Sequence, residues 1–375
     1  MPTAAPDPSA LFEAARNGDQ AALARLLSLV ERGGEQSRRV AALAYKSPGD
    51  AYTVGITGAP GAGKSTLTDR LITIARKQGF DGGLASGSGG DADSGPDSTD
   101  SGPGGRDSGP GTTDSGPGAG GSSPAGRVPV AVLAVDPSSP FSGGAILGDR
   151  VRMPSHALDG GVFNRSMATR GHLGGLAVAV PDAVRVLSAV GMPVVLLETV
   201  GVGQQEVEVA AATDTTVVVV NPGWGDAIQA NKAGLLEIAD LFVINKADRP
   251  GARETRRDLE LMLDLTELGD WRPPIVETVA STGEGVQSLW AAVAGHREHQ
   301  ISRGTLVEHR RRRLDREFRQ VLAARVEQEI ARLRKSDQYS AVTDAMLAGD
   351  VDPYEAADRI LAVLLADRND DDEAS

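Results

Sequence analysis

The run Val54 to Thr66, V-G-I-T-G-A-P-G-A-G-K-S-T, constrains this chain more than any other stretch. A short apolar segment enters Gly58-x-x-x-x-Gly63-Lys64-Ser65, and a helical pattern leaves it from Thr66 onward. A loop that wraps a triphosphate must point successive main-chain N–H groups inward, which demands the dihedrals and close approach that glycine allows. Gly58, Gly61 and Gly63 supply that freedom, with Ala59, Pro60 and Ala62 between them. The helix beginning near Lys64 presents unsatisfied amides and the positive end of its dipole to the phosphates. The Lys64 ammonium reaches the β and γ phosphates, and Ser65 ligates Mg²⁺. The spacing therefore predicts a strand, a phosphate cradle and a helix in succession.

Composition narrows the function classes. The 375 residues contain no cysteine, which excludes disulfides, thiolate metal sites and a cysteine nucleophile. The histidines, His156, His172, His296, His299 and His309, are scattered and form no ligand set. The N-terminal M-P-T-A-A-P-D-P lacks a basic start and an apolar signal core. No apolar run approaches the roughly 20 residues that span a bilayer, so a cytoplasmic protein without membrane contact is expected. The formal charge of −13 is concentrated in two segments, since residues 81–126 carry seven Asp against Arg106 and residues 367–375 carry five acids against Arg368. The remaining body is close to neutral, so neither a nucleic-acid footprint nor an acidic docking face follows. Only six lysines are present, and Lys64, Lys232 and Lys246 all fall in motif segments.

In chain order, residues 8–46 carry apolar residues at helical spacing and predict two or three helices, packed on the nucleotide domain or on a second subunit. Thr53 to Thr57 is a buried strand, and Leu67 to Lys77 a helix. From Asp81 to Gly126 the sequence is Gly, Ser, Asp and Pro, with Asp-Ser-Gly-Pro recurring at Asp93, Asp100, Asp107 and Asp114. Such a segment predicts a flexible insertion that catalysis does not need. Val128 to Val135 is the next strand and leads into Asp136-Pro137, followed by Gly148-Asp149-Arg150. Acid at the end of a parallel strand is where such sheets bind ligands, so Asp136 and Asp149 are candidate ligands of Mg²⁺ or its water, or else turn-forming aspartates. Arg165 to Leu176 reads as a glycine-rich loop before a helix over 176–190.

Val194 to Leu197 is a strand ending in Glu198-Thr199-Val200-Gly201. A carboxylate followed three residues later by glycine fits a γ-phosphate sensor, in which Glu198 acts on Mg²⁺ through water and the Gly201 N–H meets the phosphate. Strands follow at 216–220 and 241–244, the latter ending in Asn245-Lys246-Ala247-Asp248. The Asp248 carboxylate can accept from both N1–H and the 2-amino group of guanine. Adenine would leave that carboxylate unpaired, which selects GTP over ATP. Lys246 packs its stem along the base and Asn245 ties its loop to the cradle. After a strand at 275–279, the Ala280 N–H is placed for guanine O6. The chain is helical beyond Leu289, with Leu314 to Leu333 amphipathic and a short helix over 356–365 before an acidic, disordered tail at 367–375. The run His309 to Arg313 has no interleaved aromatics and has acids around it, so it reads as a solvated or interfacial helix face rather than a nucleic-acid contact.

These blocks resemble the MeaB/ArgK family of P-loop GTPases, which are chaperones of adenosylcobalamin-dependent methylmalonyl-CoA mutase. The resemblance rests on G-I-T-G-A-P-G-A-G-K-S-T, A-V-D-P-S-S-P-F-S-G-G-A-I-L-G-D-R, A-T-R-G-H-L-G-G-L, L-L-E-T-V-G-V-G-Q, P-G-W-G-D-A-I-Q-A-N-K and V-I-N-K-A-D, in family order. It covers nearly the whole chain except residues 81–126, which depart from the family pattern, as does Val279 where many guanine loops have Ser. The resemblance implies an α/β fold of the P-loop NTPase type, a predominantly parallel sheet flanked by helices, with helical N- and C-terminal extensions. The implied divisions are 1–50, a GTPase domain at 51–295, and a dimerising helical region at 296–366. It further implies Mg²⁺ near Ser65, Asp136, Asp149 and Glu198, and a mobile switch at residues 221–232 in which Asp226, Gln229 and Lys232 rearrange when the mutase binds. GTP hydrolysis to GDP would then gate delivery of the cobalamin cofactor to the mutase and its protection.

Three other readings fit parts of the pattern. A nickel metallochaperone would need a Cys/His delivery site, and there is no cysteine. A kinase would need ATP, which Asp248 opposes. A GTP-dependent scaffold shares every binding motif and is separated only by hydrolysis. The nucleotide motifs themselves contain no identifiable arginine finger, so slow intrinsic turnover is expected, with Lys232 supplying positive charge when the partner binds.

Overall fold

The computed structural model of the chain describes residues 7–80, 127–137, 153–169, 175–199, 205–223, 234, 237–267 and 269–373. Its strands are β1 (Tyr52–Gly58), β2 (Val130–Pro137), β3 (Val162–Thr169), β4 (Val194–Thr199), β5 (Thr215–Val220), β6 (Leu241–Asn245) and β7 (Ile275–Thr278). They form one sheet in the order β3-β2-β4-β1-β5-β6-β7, and every pair is parallel. Parallel strands covered on both faces are near-continuous apolar runs, and β4, β5 and β6 are buried from end to end. The chain leaves β1 toward β2 on one side and later returns to β5 on the other. The sheet order therefore reverses at β1, and a crevice for a ligand opens at its C-terminal end.

The described helices are α1 (Pro8–Arg16), α2 (Gln20–Arg32), α3 (Gly34–Lys46), α4 (Lys64–Gln78), α5 (Gly175–Ala189), α6 (Gln205–Ala212), α7 (Ala252–Asp264), α8 (Val286–Arg303), α9 (Thr305–Leu333), α10 (Asp337–Ala348) and α11 (Pro353–Glu373). The two-residue period of the strands divides their side chains between layers. Val54, Ile56, Val217 and Val219 pack with Leu67 and Leu71 of α4 and Leu289 of α8. Leu133, Val195 and Leu197 face the other way, onto Val186 and Leu187 of α5 and Leu26 and Leu27 of α2. Phe242 and Ile244 close the far end against Leu259 and Leu263 of α7. Asp7 and Asp19 cap α1 and α2 through their side chains. Leu26 and Leu27 are fully buried. Each such leucine contributes about 1.5–3 kcal/mol, so the N-terminal helices belong to the same core as the sheet.

Four expectations change. Arg165 to Thr169 lie in β3 rather than in a loop. Asn164, Arg165 and Ser166 interrupt the apolar pattern, and the edge strand is satisfied instead by α2: Arg165 donates to Ala24 O at 2.9 Å, Ser28 Oγ at 3.0 Å and Glu31 Oε2 at 2.9 Å. The division at residue 295 falls inside α8, whose His296 and Gln300 are buried against the sheet. The break lies at Gly304, with φ +71°, between α8 and α9. The acidic segment from 367 continues α11 as far as Glu373, since neither glycine nor proline follows Pro353 to stop a helix. The run His309 to Arg313 is also not simply solvated, because Arg310 and Arg313 turn inward.

Their target is Asp214, 1% exposed at the N-terminal end of β5. Arg310 donates to its carboxylate at 3.1 and 2.9 Å, Arg313 at 3.0 Å and the Thr53 N–H at 3.0 Å. Burial alone would raise the Asp214 pKa, but the two guanidinium groups and the Thr53 N–H hold it below the ordinary carboxylate range. This clamp fastens the start of α9 to the sheet at the end opposite the phosphate cradle. Beyond it α9 buries no residue, and Leu314, Phe318, Val321, Leu322 and Val326 stay exposed.

Candidate nucleotide site

β1 delivers the chain to the cradle. Gly58 has φ +125°, and a Cβ there would lie 2.0 Å from the carbonyl oxygen of Val219 on the neighbouring strand, so only glycine fits. Ala59 and Ala62 turn their methyl groups into the core below, while Pro60 and Gly61 form the exposed crest. Gly63 is left-handed and caps α4 without a side chain, so no side-chain oxygen competes for the first amides of the helix. Lys64 is 6% exposed and folds over the loop, donating from Nζ to Gly58 O at 2.7 Å and Ala59 O at 2.9 Å. Thr66 is exposed on the first turn.

Two residues expected at a magnesium site meet directly. The hydroxyl of Ser65, at the start of α4, donates to Oε1 of Glu198, near the end of β4, and Glu198 is 1% exposed. Pairing of β1 with β4 sets Glu198 opposite Ile56, which brings the carboxylate beside the cradle. Asp136 sits at the C-terminal end of β2, the other neighbour of β4. Hydroxyl and carboxylate oxygens are hard donors of the kind Mg²⁺ takes. Among the described residues no group of three or more acidic or histidine side chains forms a self-contained cage. Mg²⁺ ordinarily completes its shell with phosphate oxygens and water. Asp149, Gly201, Asp226, Gln229 and Lys232 lie outside the described residues.

The third wall comes from the end of β6. Asn245, 1% exposed, donates from Nδ2 to Ala62 O at 2.7 Å and accepts at Oδ1 from Thr278 Oγ1 and from the Ala280 N–H, both at 3.1 Å. Lys246 donates from Nζ to Gly61 O at 2.7 Å. Its φ of +59° is the one positive value at a non-glycine residue among the described residues. A lysine is held in that conformation only where its surroundings impose it, and such strain concentrates at functional positions. Asp248 follows in the turn and is exposed. The base motif and the phosphate motif, far apart in sequence, thus share hydrogen bonds. The Ala280 N–H expected at guanine O6 is engaged with Asn245, so a base would have to share it. Two contacts here carry no motif: Thr278 on Asn245, and Arg70 of α4, which donates to the loop after β7. Pairing of β6 with β7 is what brings Thr278 opposite Asn245.

The family described as methylmalonyl Co-A mutase-associated GTPase MeaB matches residues 23–84 and 124–335, and the gap between them lies within the Gly/Ser/Asp/Pro segment at 81–126. A Pyrococcus abyssi protein named as a GTPase is 43% identical over 360 residues, covering 95% of this chain and 96% of its own. The mouse mitochondrial methylmalonic aciduria type A homolog is 29% identical over 321 residues, covering 80% of this chain and 65% of its own. A crystal structure of a LAO/AO transport system kinase superposes with a TM-score of 0.60 at 22% identity, covering 96% of this chain and 97% of that one. The last likeness concerns the fold.

Proposed function

The chain belongs to the family of methylmalonyl-CoA mutase-associated GTPases, and we propose that it is the Mg²⁺-dependent chaperone of an adenosylcobalamin-dependent acyl-CoA mutase, methylmalonyl-CoA mutase before others. GTP hydrolysis, the activity of the family, would be coupled to loading and protection of the mutase's cofactor. The observation that carries the nucleotide part is the Asn245 to Ala62 hydrogen bond, which supports a single nucleotide spanning the base and phosphate motifs. The partner is supported by the family's description.

In this reading Asp248 takes N1–H and the 2-amino group of guanine, and the Lys246 stem lies along the base. Lys64 exchanges the carbonyls of Gly58 and Ala59 for the β and γ phosphate oxygens, so a pre-formed lysine pocket becomes a phosphate contact without a change of fold. Ser65 and Glu198, with Asp136 and Asp149 acting directly or through water, would hold Mg²⁺, which spreads the charge that develops at the β–γ bridge. The Gly201 N–H senses the γ phosphate. Asp226, Gln229 and Lys232 form the switch that the mutase rearranges, and Lys232 brings the positive charge the nucleotide motifs lack.

The exposed apolar stripe of α9 supports a homodimer built on the C-terminal helices. A groove of about 770 Å³ lies beside it, lined by α2, α3, α5 and α9 with Tyr45, Leu314, Phe318 and Val321. No helix among the described residues is long and apolar enough to cross a membrane; work in the cytoplasm is part of the same proposal. The test is co-purification with a cobalamin mutase and single-turnover hydrolysis in its presence. GTP-dependent capture together with faster hydrolysis is expected. Hydrolysis that the mutase does not change, with no capture in either nucleotide state, would reject the chaperone. Lys232→Ala should lose the stimulation, and equal stimulation of mutant and wild type rules out its role.

A further inference from the structure

α4 begins at the phosphate end with Lys64 and Ser65, and farther along the same helix Arg70 reaches the loop that follows β7. Its Nε donates to Ala280 O at 3.1 Å and its Nη2 to Ser281 O at 2.8 Å. Two consecutive carbonyls are thereby held by one planar guanidinium, whose donors have a fixed spacing that a lysine lacks. Among the described residues no other side chain donates to these two oxygens. The loop beyond them is exposed at Ser281 and Thr282 and is otherwise closed on itself by Thr282 and Gly283 N–H bonds to Val279 O. On its inner side the Ala280 N–H faces Asn245 Oδ1. The Ala280 N–H belongs to the Val279–Ala280 peptide, whose carbonyl accepts the Thr282 and Gly283 N–H bonds, while Arg70 holds the peptide that follows Ala280; together they set the direction in which that N–H points.

We propose that Arg70 is a positioning residue for guanine: by fastening Ala280 O and Ser281 O to the phosphate-binding helix it aims the Ala280 N–H at O6 and sets how long the nucleotide stays bound. The proposal rests on the nucleotide reading above. It adds a mechanical link between the two halves of the ligand, since the helix that holds the phosphates also carries the grip on the base loop. Arg70 itself is exposed and lies outside the core, so its removal leaves the packing intact.

The experiment compares full-length wild type, Arg70→Ala and Arg70→Lys by dissociation rate and affinity for GDP, IDP and 6-thio-GDP. IDP lacks the 2-amino group that Asp248 reads, and 6-thio-GDP keeps that group while weakening the acceptor at position 6. Loss of one aimed hydrogen bond predicts GDP release about tenfold faster in Arg70→Ala. Arg70→Lys, able to hold one carbonyl, should fall between. The preference for GDP over 6-thio-GDP should shrink in Arg70→Ala, whereas the preference for GDP over IDP should be unchanged. An unaltered GDP release rate would overturn the proposal. So would faster release with the 6-thio-GDP preference intact, which is the result of a loop merely loosened. A wild type that holds no guanine nucleotide would instead defeat the nucleotide reading itself, a result recognisable before any variant is made.

Discussion

Asn245 and Ala62 are joined by a 2.7 Å hydrogen bond from the side-chain amide of one to the main-chain oxygen of the other. The bond ties the end of β6 to the phosphate loop. Gly63 leaves the room for it, because a Cβ at that position would stand 2.5 Å from Asn245 Nδ2 and the residue has φ +87°. Gly63→Ala should therefore separate the two motifs while leaving the sheet folded. Calorimetry is expected to show GTP affinity at least about 100-fold weaker, equivalent to losing a few aligned hydrogen bonds. Near-wild-type affinity would mean that the two loops need not touch.

The Asp214 clamp gives a stability prediction at the other end of the sheet. Removing both Arg310 and Arg313 leaves a carboxylate that is 1% exposed without its cations. Such uncompensated burial costs about 3–5 kcal/mol. Asp214→Asn should cost less, because the two arginines are partly exposed and can turn to water. Chemical denaturation of the two variants checks the order, and a milder effect in the double arginine variant would contradict it.

A pH dependence follows from Asp240. Burial, reinforced by the nearby Asp214 charge and opposed by the Thr216 N–H at 2.7 Å, pushes its carboxyl up to about 7. His296, 3.5 Å away, is driven down to about 4 by burial and by the neighbouring His299 and His309, so it does not supply a cation at neutral pH. A carboxyl raised in the folded state keeps its proton there after the unfolded chain has lost it. Its contribution to stability should fall as pH rises from about 4 to 7, with a slope of at most about 1.4 kcal/mol per pH unit, while His296, lowered to about 4, contributes with the opposite sign over about pH 4 to 6.5. Asp182, pushed up to about 6 by burial and by Glu317 despite Arg185, adds to the lower part of the same window. Asp240→Asn should remove this contribution across the whole window from about pH 4 to 7, so that the stability of wild type relative to the variant declines as pH rises. Denaturation midpoints across that range decide it, and an identical slope in the variant would refute the assignment.

The insertion should be removable. Its two ends are pinned at one place: Val128 exchanges hydrogen bonds with Arg76, Trp290 donates to Gly79 O at 2.9 Å, and Phe80 stacks on Trp290 with ring centroids 4.8 Å apart. That place is the C-terminal end of α4, whose 15 residues carry it about 22 Å from the cradle. Replacing 81–126 by a short Gly/Ser linker shortens the closed loop by nearly three doublings. At about 0.6 kcal/mol each, the protein should become about 2 kcal/mol more stable. Thermal denaturation and GTP turnover together test this: a less stable or less active protein would show that the segment is needed.

Residues whose chemistry is local were the legible ones. The cradle, the end of β4 at Glu198 and the end of β6 at Asn245 could be read because glycine spacing and strand-end acids have direct physical meanings, and the structure brings these segments together. β3 was not legible, because its polar centre is compensated by α2, a partner that only the tertiary fold supplies. The inward turn of Arg310 and Arg313 escaped for the same reason, since Asp214 looks like an ordinary loop aspartate in sequence. Thr278 and Arg70 join the site through a strand pairing and a helix packing that no local pattern announces.

The central claim is that one guanine nucleotide bridges the loop at Lys64 and the carboxylate of Asp248. Titration calorimetry of wild type and Asp248→Asn against GTP and XTP, under non-turnover conditions, tests it most directly. Xanthine carries a 2-oxo acceptor where guanine has a 2-amino donor, so an asparagine amide can donate where the carboxylate could only accept. The account predicts that the wild type prefers GTP, and that the variant loses GTP affinity by about 100-fold and prefers XTP. A variant whose preference for GTP over XTP matched the wild type would show that the base is read elsewhere.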